Sequence, residues 1–80
     1  MRLDKFLKVS RIIKRRTVAK DFAEHERVML NGKVAKPSTE VKVGDVLTVR
    51  AGGKEASYQI LKIVDNVKAA EAKELYKSLD

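Results

Sequence analysis

Along this 80-residue chain the alternation of apolar and polar positions changes period once. Leu3, Phe6, Leu7 and Ser10 follow the i, i+3, i+4, i+7 spacing, which at about 100° per residue gathers them on one narrow helical face. Arg2, Lys5, Lys8 and Arg11 fan across the other side, and Asp4 stands one turn before Lys8, where an ion pair adds roughly a few tenths of a kcal/mol. Thr17 reads as the N-cap of a second helix, its hydroxyl taking an orphan backbone N–H, with Val18, Ala19, Phe22 and Ala23 as the buried stripe. Lys14, Arg15 and Arg16 fill the link between the two helices.

From residue 28 the pattern becomes that of strands. Val28 to Leu30 run into Asn31–Gly32, a pair that favours the positive φ of a tight hairpin turn, and Lys33 and Val34 begin the return strand. A loop through Lys36, Pro37 and Ser38 follows. Gly44–Asp45 marks a turn before a strand over Val46 to Arg50, and Gly52–Gly53 separates that strand from one predicted over Tyr58 to Val64. Ala69, Ala72, Tyr76 and Leu79, with Leu75 beside them, predict a closing helix over Lys68 to Leu79. The expectation is one α+β domain over residues 1–80, with no internal repeat and no linker.

Charge changes this picture from a fold to a surface. Lys and Arg number 18 against 11 Asp and Glu, a net charge of +7. Eight of those cations lie in the first 20 residues beside a single acid, Asp4, while residues 21–80 are balanced. A charge excess confined to one quarter of the chain points to a patch facing a polyanion. Three adjacent cations at the helical corner repel one another, and no neighbour in sequence compensates them. Nucleic acid is the first candidate.

Other chemistries find little support. A chain of this length holds no catalytic domain beside a binding domain. Without cysteine there is no disulfide framework, thiolate zinc site or Cys nucleophile, which fits a reducing, cytoplasmic setting. No apolar run approaches the roughly 20 residues that span a bilayer, so no membrane partner is expected. His25, the one histidine, lies between Glu24 and Glu26 at the predicted helix end, and three consecutive side chains diverge by about 100° each rather than converge on an ion. The expectation is a protein that is not an enzyme and has no cofactor or metal. Of the four aromatics, Phe6 and Phe22 fall on core faces, leaving no row of rings on which bases stack. Backbone and shape readout by Arg and Lys remains, and it suits structured RNA, whose deep major groove hides base edges.

The segments RLDKFLKVSRIIKRRTVAKDF, VMLNGKVAKPS and VKVGDVLTV, in that order, resemble the S-four type RNA-binding domain, the αL motif, over about residues 1 to 50. The resemblance implies two helices packed on a small curved antiparallel sheet, with RNA across the helical corner. The whole chain is similar to short stand-alone members of that family in bacterial ribosome-associated quality control. For those members the resemblance implies partners: large-subunit rRNA, a stalled peptidyl-tRNA, and RqcH, which brings alanyl-tRNA for untemplated alanine tails while peptidyl-tRNA is held in or moved to the P site. It also implies a monomeric, ribosome-associated factor that makes and breaks no bonds.

Carried over by position, the resemblance assigns RNA contacts to Arg2 and Lys5, to Lys14, Arg15, Arg16, Thr17 and Lys20 around the corner, and to Asn31, Gly32 and Lys33 of the hairpin. Lys8 and Arg11 join them as the outer face of the first helix. Arg2, Arg15 and Arg16 rank first, because guanidinium forks hold phosphates bidentately and no acid is expected beside them. Family members commonly end the second helix on glycine, whereas this chain reads Glu24–His25–Glu26–Arg27, with Arg27 a further cation for the surface. Three other roles share the pattern: a heat-shock relative that recycles stray large subunits, the accessory part of a larger RNA-modifying enzyme, and a protein-interaction module working through residues 68–79.

Overall fold

Leu3–Val9 forms the first helix, α1, in a computed structural model that describes residues 1–80. Leu3, Phe6 and Leu7 have no exposed surface and Ser10 almost none, as their spacing predicts. The N-terminus of α1 has no side-chain cap. Its orphan donors go instead to the loop after the first hairpin: Leu3 N–H to the Thr39 carbonyl at 2.8 Å and Asp4 N–H to that of Pro37 at 3.1 Å. Arg11 ends the helix in the left-handed region, at φ 61°, with its N–H on the Lys8 carbonyl.

Helix α2, Arg16–Glu24, begins two residues earlier than its sequence suggests. Arg15 takes the extended N-cap conformation, and Thr17 lies inside the first turn, exposed, so the expected Thr17 cap does not form. Val18 is also turned outward, because the face meeting α1 narrows to Ala19 and Ala23, one turn apart, with Phe22 half-buried beside them. Small residues at that seam let the helices close together. At the far end Arg27 N–H reaches the Phe22 carbonyl at 2.9 Å and Glu26 N–H that of Ala23 at 3.3 Å, the paired bonds of a Schellman cap. Glu26 supplies the left-handed residue at φ 61°, so the conformation expected of glycine at this helix end is kept here on glutamate, at a cost of about 1 kcal/mol.

Five strands form one antiparallel sheet: β1 Val28–Leu30, β2 Lys33–Val34, β3 Val46–Ala51, β4 Lys54–Ile60 and β5 Tyr76–Ser78, in the order β2-β1-β3-β4-β5. The Asn31–Gly32 turn has positive φ at both residues, 53° and 82°. Gly52–Gly53 does the same at 57° and 79°, and this corrects the predicted fourth strand. A two-residue turn sets Ala51 opposite Lys54, so β4 must start there and ends at Ile60 rather than running from Tyr58 to Val64. Polar residues at the exposed hairpin tip hide that strand from hydrophobic alternation.

The closing helix is also corrected. Ala69–Leu75 is a 3-10 helix, and its two buried residues, Ala72 and Leu75, are three apart, which is that helix's period. The chain then pairs with the open edge of β4, Ile60 facing Tyr76 and Tyr58 facing Ser78, which leaves Leu79 exposed. Tyr58 and Tyr76 meet edge to face, 5.2 Å between centroids. Leu3, Phe6, Leu7, Ala19 and Ala23 from the helices close on Val28, Leu47, Val49, Ile60 and Leu75 to form one core. No helix is long and apolar enough to cross a membrane.

Candidate nucleic-acid interface

The helical corner is built from the inside. Ser10, buried, donates its hydroxyl to the Leu7 carbonyl at 3.3 Å, and Ile13 N–H reaches the same carbonyl at 3.1 Å. Ile12 and Ile13 are half-buried against the core, so the residues after them, Lys14 and Arg15, are carried outward. Neither makes an ion pair.

Asp4 organises the arginines on either side of this corner. Its carboxylate is buried and accepts from Arg2 Nε at 3.2 Å, from an Arg2 terminal nitrogen at 3.3 Å, from Arg16 at 3.5 Å and from the Lys5 backbone N–H at 2.8 Å. This corrects two expectations. Asp4 does not pair with Lys8, and Arg2 and Arg16 do have an acid beside them. Asp4 sits in the first turn of α1, and the link folds back far enough to bring the start of α2 over it. About half of each guanidinium side chain stays exposed, 52% for Arg2 and 47% for Arg16, so one carboxylate holds two forks together with most of their N–H groups still directed to solvent. The cluster keeps a net positive charge.

The other assigned residues divide by what holds them. Lys5 reaches Asp65 at 3.2 Å and Lys20 reaches Glu24 at 3.9 Å, both exposed pairs that constrain little and leave the cations in play. Lys8 and Arg11 are exposed and unpaired, and Thr17 lies beside Arg16 on the first turn of α2. The hairpin is a separate case. The Asn31 amide is used internally: its oxygen accepts from Val46 N–H at 2.9 Å and its nitrogen donates to Asp45 at 3.1 Å, which ties the turn to the start of β3. Gly32 is held by its positive φ, and of the three only Lys33 offers a free, exposed cation. Arg27 lies over the Phe22 ring at 5.5 Å. His25 Nδ1 is 2.8 Å from the Asp21 carbonyl oxygen at the exposed end of α2, away from any cluster.

Sequence reasoning missed the part played by Asp4. The signal was present, a lone acid amid eight cations, but its partner Arg16 is twelve residues away and no helical spacing joins them.

Fold and charge together define a class: a small α+β domain whose helical corner presents oriented guanidinium and ammonium groups on its surface. The S4 domain pattern matches residues 1–47. Proteins described as RQC P-site tRNA stabilizing factors, from Listeria innocua and from Bacillus subtilis, are each 53% identical over 79 residues, covering 99% of this chain and 86% and 92% of theirs. A solved structure of Heat Shock Protein 15 from Vibrio cholerae, described as trimeric, superimposes with a TM-score of 0.89 at 40% identity, covering 98% of this chain and 80% of that one. The chain belongs to the S4 domain family.

Proposed function

We propose that this protein is an RNA-binding factor of bacterial ribosome-associated quality control. It engages large ribosomal subunits that hold a stalled peptidyl-tRNA and, beside RqcH, supports untemplated alanine tailing by keeping peptidyl-tRNA in the P site. It acts by binding, in the cytoplasm, and carries out no bond chemistry. The observation that carries the reading is the Arg2–Asp4–Arg16 cluster flanked by unpaired Lys14 and Arg15, an arrangement suited to phosphates. The name shared by the relatives from Listeria and Bacillus supports P-site tRNA as a source of those phosphates.

The test is co-sedimentation with purified large subunits. Lys14→Glu and Arg15→Glu alter exposed residues without ion pairs, so both keep the wild-type melting temperature while binding falls at least about tenfold; retained binding refutes the site. With about five to seven phosphates neutralised, log affinity falls against log salt with a slope of roughly −4 to −6. Likeness to Heat Shock Protein 15 supports a second reading, recycling of stray large subunits. Crosslinking in cells separates the two, since enrichment of tRNA together with large-subunit rRNA belongs to the first.

A further inference from the structure

Lys8, Arg11 and Lys14, the three cations around the end of α1, line a single hollow of about 50 Å³. Its remaining walls are Val9, Asn66 and Val67. The last two come from the segment after β4, where Asp65 lies 3.2 Å from Lys5 of α1. None of the three cations has an acid within ion-pair distance, and Asp65, the nearest acid in sequence to Asn66, is paired to Lys5. A cation in the last turn of a helix complements the carbonyl end, which accounts for Lys8. It does not account for three cations around one small space, where each raises the energy of the others until an anion enters.

Arg11 adds a second observation. It stands at φ 61°, where glycine fits without strain, so the backbone there favours a residue with no side chain, yet the position that lines the hollow carries an arginine. Asn66 contributes an exposed amide that makes no hydrogen bond within the protein.

We propose that this hollow seats one backbone phosphate of the bound RNA, held by Lys8, Arg11 and Lys14 and completed by the Asn66 amide. The proposal rests on the RNA-binding reading above and extends the interface from the helical corner onto the segment between β4 and the 3-10 helix. That places a contact where no sequence motif marks one.

The test compares Arg11→Gly, Asn66→Asp and Arg15→Glu with wild type, using purified large ribosomal subunits as the probe across a salt series. Arg11→Gly relieves backbone strain, so its melting temperature is unchanged or higher, yet its affinity falls about 5- to 20-fold and its salt slope becomes shallower by about 1. Asn66→Asp sets a carboxylate against the phosphate and weakens binding by a similar factor. Wild-type affinity in both variants, with binding lost in Arg15→Glu, overturns the seat and leaves the RNA reading standing. Wild-type affinity in all three overturns both. Titration with inorganic phosphate alone, followed at the Asn66 side-chain amide by NMR, separates the sources. Saturation below about 1 mM with unchanged subunit affinity in the variants means that free phosphate, not RNA, is the occupant, and that also overturns the proposal.

Discussion

Removing the Asp4 carboxylate perturbs the one buried charge of the basic quarter. In Asp4→Ala, Arg2 loses both its contacts, at 3.2 and 3.3 Å, Arg16 loses its contact at 3.5 Å, and the Lys5 N–H loses its acceptor. Fully buried hydrogen bonds to charged groups contribute about 1.5–3 kcal/mol each, but both guanidiniums are about half exposed and regain water, which reduces each arm to about 0.5–1 kcal/mol. Loss of an acid from the first turn of α1 adds about 0.3–1 kcal/mol. The total is about 2 kcal/mol, or a melting temperature lower by about 8–16 °C for a domain of this size. Because the carboxylate is buried, added salt at about 0.5 M closes little of that gap. Arg16→Ala, which removes only the longest contact, costs less than about 1 kcal/mol. The assay is thermal unfolding by circular dichroism at two salt concentrations. An Asp4→Ala protein melting within about 2 °C of wild type refutes the reasoning, since the carboxylate would then hold neither arginine.

Three further substitutions test the fold. Glu26→Gly frees the left-handed helix end of its Cβ penalty and raises the melting temperature by about 2–6 °C, net of the extra chain entropy of glycine. Asn31→Ala removes both side-chain bonds to β3 and puts alanine at φ 53°, costing about 2 kcal/mol in urea unfolding. Leu75→Ala opens a void under the 3-10 helix and costs about 2–4 kcal/mol, with β5 amides losing hydrogen-exchange protection first.

Where local periodicity governs, the sequence is readable. Leu3, Phe6 and Leu7 announce α1, and Asn31–Gly32 announces its hairpin, because each rests on contacts a few residues apart. β4 and the C-terminal segment escape local periodicity for one physical reason. Lys54–Ile60 is a strand because β3 lies beside it, and Tyr76–Ser78 is a strand because β4 leaves an edge. Neither partner is visible in a local window. Ala72 and Leu75 do share a face, but at a spacing of three rather than the 3.6 of an α-helix. In the candidate interface, the basic corner was legible as charge. Its internal order was not, because Asp4 reaches Arg16 only after the chain has turned.

That order raises a question of sign. Asp4 is an anion beneath the surface proposed to receive phosphates, and at about 6 Å it repels a phosphate by about 1 kcal/mol in a wet interface. Against this, a free arginine gives up about 0.5–1.5 kcal/mol of side-chain entropy when a ligand fixes it, and Asp4 has already fixed two. Orientation therefore outweighs repulsion by about 1 kcal/mol, and Asp4→Asn, which removes the charge but keeps the shape, binds large subunits about fivefold more weakly despite its higher net charge. The measurement is affinity at a temperature where the variant remains folded. Tighter binding by Asp4→Asn would show that the net field, not the alignment of Arg2 and Arg16, governs affinity at this corner.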